Sequence, residues 1–362
     1  MNKFFTKIAL LIVAMTFVGA QLCAQITTTF AKNASPGQQN GLYYSLPQTM
    51  LKLDFVIDEI ALEKGPLSDY ASNYLAMEDY VDYETTEYQL VDLKMSTVAN
   101  PDPNATFFVT FASVRGGSKT QFDVMPNGII RSVGYGYSAE NENTATNPIQ
   151  KESPCCQPEK KQNDAFMPLL TAGKSNAQLA KEVADKIAEI RKWKEYLITG
   201  DVATATNPET FNAMYQKLDV LEQEYMSLLV GKRVAKRTIQ TAYVVPNKEV
   251  TTQTVAKFSE TEGLTIGTGG SGSMISVQTL SMNTTAAINA PSHSAVESMT
   301  YENKVFYRIP ETANVKVTCG NRTLLEDRVT VNQLGALLMA PMTNSRLEFD
   351  TETGQIVNMK MQ

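Results

Sequence analysis

With 362 residues, 43% of them apolar and 19% charged, the chain has the composition of a folded protein of two or three compact units, which excludes global disorder. Its formal net charge of -6 and pI of about 5.1 exclude the basic surface that captures phosphate backbones, so nucleic acid is not an expected partner. One histidine and four cysteines are too few ligands for a metal centre of the usual kind, and no cofactor motif is present.

The chain begins with lysines at 3 and 7, then an apolar run from Ile8 to Val18, then small residues up to Ala24. This is the pattern of a secretory signal over residues 1–24, cut after Ala24 or, as an alternative, after Ala20. Cleavage removes Lys3 and Lys7 and takes the formal charge from -6 to -8. Leu22 stands before Cys23 where a lipoprotein signal needs a small residue, so no acyl anchor is expected. No later stretch reaches the roughly 18 uncharged apolar residues of a spanning helix, so no transmembrane segment is expected after signal cleavage. The sequence thus places the mature chain outside the cytoplasm, in the periplasm or at the outer membrane.

Residues 25–137 read as a β unit. Leu51 to Ile57 alternates, Phe107 to Phe111 is rich in strand formers, and Asn127-Gly128 is a tight-turn dipeptide. A short helix is expected from Ser68 to Leu75. The acids Asp79, Asp82, Glu84 and Glu87 cluster beside Tyr80 and Tyr83; such a run is normally a solvated face, and a carboxylate pair for hydrolysis is the alternative. Asp102-Pro103-Asn104 lacks the glycine and distal glutamate of a calcium loop and reads as a turn.

Residues 138–172 have no apolar periodicity and read as a linker or long loop. It contains Cys155 and Cys156. Either could pair with Cys319 in an oxidising compartment, although surface thiols are the plainer reading.

Residues 173–233 predict two long helices joined as an antiparallel hairpin. The first opens on a Ser175–Gln178 capping box, carries Leu179, Val183, Ile187, Ile190, Trp193 and Leu197 on one face, and stops at Gly200. The second opens at Asn207-Pro208 and carries Phe211, Met214, Leu218, Leu221, Tyr225 and Leu228 up to Gly231. Trp193, Tyr196, Tyr215 and Tyr225 add aromatic area that makes the hairpin the candidate contact element for another envelope protein.

From 234 to 362 the β pattern returns, with strands at 238–245, 304–309, 315–318 and 345–349, and a glycine-rich loop at 267–273 that lacks the lysine of a phosphate-binding loop. The two β regions resemble each other. Tyr44-Ser45-Leu46-Pro47-Gln48-Thr49 returns as Tyr307-Arg308-Ile309-Pro310-Glu311-Thr312, and Phe122-Asp123 precedes Gly128 much as Phe349-Asp350 precedes Gly354. Tyr44, Pro47, Tyr307 and Pro310 are therefore candidate structural-motif residues, with proline marking a strand start or edge. The expected class is α+β, mostly β: two sandwich-like or meander domains, related by duplication, with an inserted helical hairpin.

No catalytic constellation emerges. His293 is the only histidine, and no Gly-x-Ser-x-Gly surrounds a serine. The residues therefore favour a non-enzymatic binding or scaffolding protein, or an accessory subunit of an outer-membrane complex, over a carboxylate-dependent hydrolase such as a carbohydrate-active enzyme.

The run Gly41 to Thr49, Lys64-Gly65-Pro66, Asp69-Tyr70-Ala71 and Tyr74-Leu75, with Tyr307 to Pro310 and Asn332-Gln333-Leu334-Gly335, resembles an exported bacterial family known as domain of unknown function 4831. The resemblance spans nearly the whole mature chain. It implies the envelope of a Gram-negative bacterium and carries over no catalytic residue.

Overall fold

Two very long β-hairpins dominate the architecture. In a computed structural model, residues 26–35, 37, 40–111, 120–135, 173–199, 207–342 and 345–361 are described; the N-terminal residues 1–25, the stretch with Cys155 and Cys156, and the connection between the long helices lie outside them. The chain is mostly β, in three antiparallel sheets.

The first sheet runs in the order β10 (Tyr301–Glu302), β1 (Ile26–Phe30), β3 (Thr85–Phe111), β2 (Gly41–Glu63) and β6 (Lys232–Val244). The second runs β12 (Arg322–Pro341), β11 (Lys304–Cys319), β9 (Ser273–Ser281), β7 (Thr252–Ser259) and β8 (Gly263–Ile266). The third runs β14 (Ile356–Met361), β13 (Ser345–Phe349), β5 (Ile130–Tyr135) and β4 (Thr120–Val124).

At 23 and 27 residues, β2 and β3 far exceed the usual strand of about 5–6 residues. They stay ordered because each serves two cores. Before Pro47 the most deeply buried side chains of β2 are the even-numbered Tyr44 and Leu46; after it they are the odd-numbered Leu51, Leu53, Phe55 and Ile57. The register slips between Ser45 and Pro47, and a slip of odd length turns the opposite face inward. The β11–β12 hairpin repeats the device. Its register slips between Ile309 and Glu311, and burial passes from Phe306 and Arg308 to Glu311, Ala313, Val315 and Val317.

Each core draws on both halves of the chain. One gathers Tyr44 and Phe107 with Phe306, Val133 and Leu347, and the Phe107 and Phe306 rings stack with centroids 4.4 Å apart. The other packs Leu53, Phe55 and Ala242 on Ile275, Val277 and Val315. Strands mix as well, since β1 pairs with β10 and β5 with β13. The boundaries at 137 and 234 therefore do not separate two cores: alternation tells which face is buried but not which strand covers it.

After a 3-10 turn at Ala31–Asn33, the first α-helix described is α1 (Ala71–Leu75), preceded by a 3-10 turn at Ser68–Tyr70. The long helices are α2 (Asn176–Thr199) and α3 (Pro208–Val230), and α4 (His293–Glu297) is short. Ser175 and Gln178 cap α2 reciprocally: the Gln178 N–H donates to the Ser175 hydroxyl and the Ser175 N–H to the Gln178 side-chain oxygen. The Asn207 side chain accepts from the Glu209 N–H at the start of α3. Arg191 meets Glu222 at 2.7 Å and Lys194 meets Asp219 at 2.8 Å, a register in which the helices run antiparallel.

Trp193 does not share the buried stripe of α2. Leu179, Val183, Ile187, Ile190 and Leu197 are buried, but Trp193 is 49% exposed and Lys194 takes the inward position beside it. Two carboxylates make this favourable, for the Lys194 ammonium bonds both Asp219 and Glu222 across the helix pair. The base of the pair packs on Leu67 and Ala71, and the Leu228 and Val230 carbonyls at the end of α3 accept from the Leu67 and Val81 N–H groups. Among the described residues no helix is long and apolar enough to cross a membrane.

Candidate functional site

A register slip leaves backbone groups without ladder partners, and side chains from the other hairpin supply them. Opposite the slip in β2 lies the stretch Asp102–Ala105 of β3; opposite the slip in β11 lies Asn332–Gly335 of β12. Each stretch bonds to the slipped strand of the other hairpin. Arg308 donates through Nη1 to the Pro47 carbonyl and through Nη2 to Asp102 Oδ2, both at 2.8 Å. The Gln333 oxygen accepts from the Thr49 N–H, and its Nε2 donates to the Thr49 and Pro246 carbonyls. Asn332 donates its N–H to the Thr49 hydroxyl and its side-chain amide to the Glu352 carbonyl.

The Arg308 and Asp102 side chains are only 6% and 3% exposed, so the pair forms a neutral unit in the interior. Gly335 is required beside it. A Cβ there would lie 2.0 Å from the Ile309 carbonyl oxygen, a contact with backbone that cannot move aside. Tyr44 seals the other side. Its hydroxyl accepts from the Phe306 N–H at 3.0 Å, and burial pushes its pKa far above the usual tyrosine range.

Glu311 follows the second slip and is itself buried. Its carboxylate accepts five hydrogen bonds, four from the N–H and hydroxyl groups of Thr284 and Thr285 at 2.5–3.1 Å and one from the Thr312 N–H at 3.0 Å. Burial alone would raise its pKa; the donors of Thr284 and Thr285 outweigh burial and bring it down to about 2. It fixes the loop after β9 to the bent hairpin.

A cleft of about 950 Å³ opens over this junction. Gln48, Asn104, Gln253 and Gln333 bring amide groups to its wall, Val250 and Ile288 bring apolar surface, and Arg308 and Asp102 lie at its floor. The arrangement suits the holding of a neutral ligand by hydrogen bonds and shape.

The model of the domain of unknown function DUF4831 matches residues 40–357. The chain belongs to the DUF4831 family. The matched span takes in both bent hairpins, the helix pair and the cleft of this DUF4831 protein. No curated protein and no solved structure matches it.

In this DUF4831 chain the residues singled out by sequence fall in three places. Tyr44 and Pro47 lie at one bend, and Tyr307 and Pro310 at the other. The aromatic residues of the helices divide: Trp193 stands edge-on to Tyr196 at 5.9 Å, Tyr215 stacks on Phe211 with the Lys194 ammonium over its ring, and Tyr225 packs into the base of the pair. Cys319 is half-exposed at the end of β11, with burial raising its pKa, while Cys155 and Cys156, its candidate disulfide partners, lie outside the described residues. Asp79 forms a two-pronged pair with Arg233, and Asp82, Glu84 and Glu87 are exposed. Among the described residues no group of three or more His, Cys, Asp or Glu side chains is placed to hold a metal.

Four residues of the junction escaped the sequence reading: Asp102, Arg308, Glu311 and Gln333. Arg308 and Glu311 lie inside the repeated Tyr-x-x-Pro-x-Thr segment, where a charge in an otherwise strand-like run was the available signal. Asp102 looked like part of an ordinary turn because Pro103 and Asn104 follow it.

Proposed function

We propose that this chain is an exported, non-enzymatic binding or scaffolding protein of the bacterial envelope, an accessory subunit of an outer-membrane assembly, with the helical hairpin α2–α3 as its contact element. Trp193 carries the reading. It is half-exposed, set against Tyr196, and about 9 Å along α2 from Ile187, the last α2 residue in the core at the hairpin's base. Ile198, 66% exposed, extends the apolar surface toward the tip. Exposed aromatic area rimmed by charge is the composition of protein interfaces.

The hydrolase reading has less support. Asp79 is committed to Arg233, and the other acids of its cluster point to solvent. Export rests on the N-terminal pattern, so Edman sequencing of the mature protein should begin at Gln25 or Gln21; an intact Met1 on cytoplasmic protein would count against it.

The fold reading that accompanies this function is an ancestral duplication of one bent hairpin plus one short hairpin. It is supported by the matching slips at Pro47 and Pro310 and by matching turns. The Met125 N–H donates to the Ile129 carbonyl as the Asp350 N–H donates to the Gln355 carbonyl, so Asp350 corresponds to Met125 rather than to Asp123. Flanking strands differ, since β2 is joined by β6, which follows it, and β11 by β9, which precedes it.

Tagged full-length protein bearing Trp193→Ala and Ile198→Ala, expressed in the native envelope, tests the function. The variant should keep its circular dichroism spectrum and lose a discrete envelope protein that co-purifies with the parent. Retention of every partner by a folded variant would refute the role of the hairpin.

A further inference from the structure

The cleft has a strand edge in its wall. Arg308 donates its backbone N–H to the Gly354 carbonyl at 2.9 Å, away from β12, and Phe306 donates its own to the Tyr44 hydroxyl. The Arg308–Leu337 and Phe306–Met339 pairs are therefore the non-hydrogen-bonded kind, in which both residues turn N–H and C=O away from the partner strand. Since β12 is the outermost strand of its sheet among the described residues, Leu337 and Met339 direct these groups outward, and Leu337 lies in the cleft wall.

Folded proteins usually cover or charge such an edge. Here the segment after β6 forms the opposite wall and leaves a slot between them. Charges around the slot offset one another: Arg308 and Asp102 cancel at the floor, Lys248 and Glu249 carry opposite signs in the wall, and Glu297 is paired with Lys32. A charged ligand would lose hydration without gaining a counter-charge. Among the described residues no aromatic ring lines the cleft, so a sugar would find no stacking surface there.

We propose that the cleft binds an extended, uncharged polypeptide segment, which adds as a strand to the free edge of β12 at Leu337 while the amides of Gln48, Asn104, Gln253 and Gln333 take its polar groups. This site is separate from the helical hairpin and does not depend on its role.

The test titrates the whole mature protein into a pool of labelled, end-blocked, uncharged decapeptides and follows fluorescence polarisation. Saturable binding by members of the pool is expected. With the tightest peptide, Val250→Trp, which fills the slot, and Leu337→Pro, which deletes the outward N–H, should each weaken binding about ten-fold or more. Peptide should also slow hydrogen exchange at the Leu337 amide of the parent. If Leu337→Pro does not fold, Val250→Trp and the exchange measurement decide. The proposal is overturned if no peptide saturates, if binding is indifferent to Val250→Trp with Leu337 exchange unchanged, or if only charged peptides or oligosaccharides bind at the slot.

Discussion

Ser45 and Arg308 do the same thing with their backbones: Ser45 donates its N–H to the Gly128 carbonyl at 2.8 Å, and Arg308 donates its N–H to the Gly354 carbonyl at 2.9 Å. Each bond ties a long strand, just before its register slip, to the turn of a short hairpin in the third sheet. Both acceptors are glycines with positive φ, +91° at Gly128 and +76° at Gly354.

Those two glycines should nonetheless respond differently to substitution. Gly128→Ala meets only conformational strain, about 1–2 kcal/mol, because nothing lies within 4 Å of the added Cβ. Gly354→Ala adds a contact with Pro47 Cδ at 2.9 Å and should cost more. Urea denaturation of both variants gives the comparison, and equal losses would mean that the bend at Pro47 yields freely.

Removing one partner of the buried pair should be severe. Asp102→Ala leaves the Arg308 guanidinium charged and uncompensated in the interior, at a cost of about 3–5 kcal/mol. The double replacement Asp102→Ala with Arg308→Met should recover part of that loss, and a thermodynamic cycle over the four proteins measures the coupling.

Glu311 sets an acid limit. Its folded-state pKa of about 2 lies below the ordinary 4.5, so the stability it contributes is fully present above pH 4.5 and is lost as pH falls toward 2. Glu311→Gln lacks this term. The stability difference between parent and variant should shrink by up to about 3 kcal/mol between pH 5 and pH 2, read from denaturation at fixed pH values. A difference independent of pH would show that the threonine donors do not hold the ionised form.

The helix pair should depend on Lys194. Lys194→Ala leaves Asp219 and Glu222 facing each other without the cation that joins them, so hydrogen exchange in the outer turns of α2 and α3 should speed up while the β core is unchanged. Equal protection in parent and variant would contradict this.

What could be read from sequence was local. Strand alternation at Leu51–Ile57, the caps at Ser175 and Asn207, and the Asn127-Gly128 turn are encoded within a few residues, and each lies in the corresponding element. What could not be read depends on partners far along the chain. Asp102 and Arg308 are 206 residues apart, so neither announces the other. Trp193 shows the limit of periodicity itself: at the edge of the stripe, one position decides between tryptophan and lysine, and Asp219 and Glu222 on the other helix decide it for Lys194. The sharing of cores between the two β regions was hidden for the same reason, because a bent hairpin reads as two ordinary strands.

The claim that the helix pair meets a partner is tested most directly by a photo-crosslinking amino acid placed at position 193 and, as a control, at position 274, which is also exposed but lies on the second sheet. After illumination of the native envelope, position 193 should give a discrete adduct with another envelope protein and position 274 should not. Absence of any adduct at 193, or the same adduct from both positions, would contradict the account.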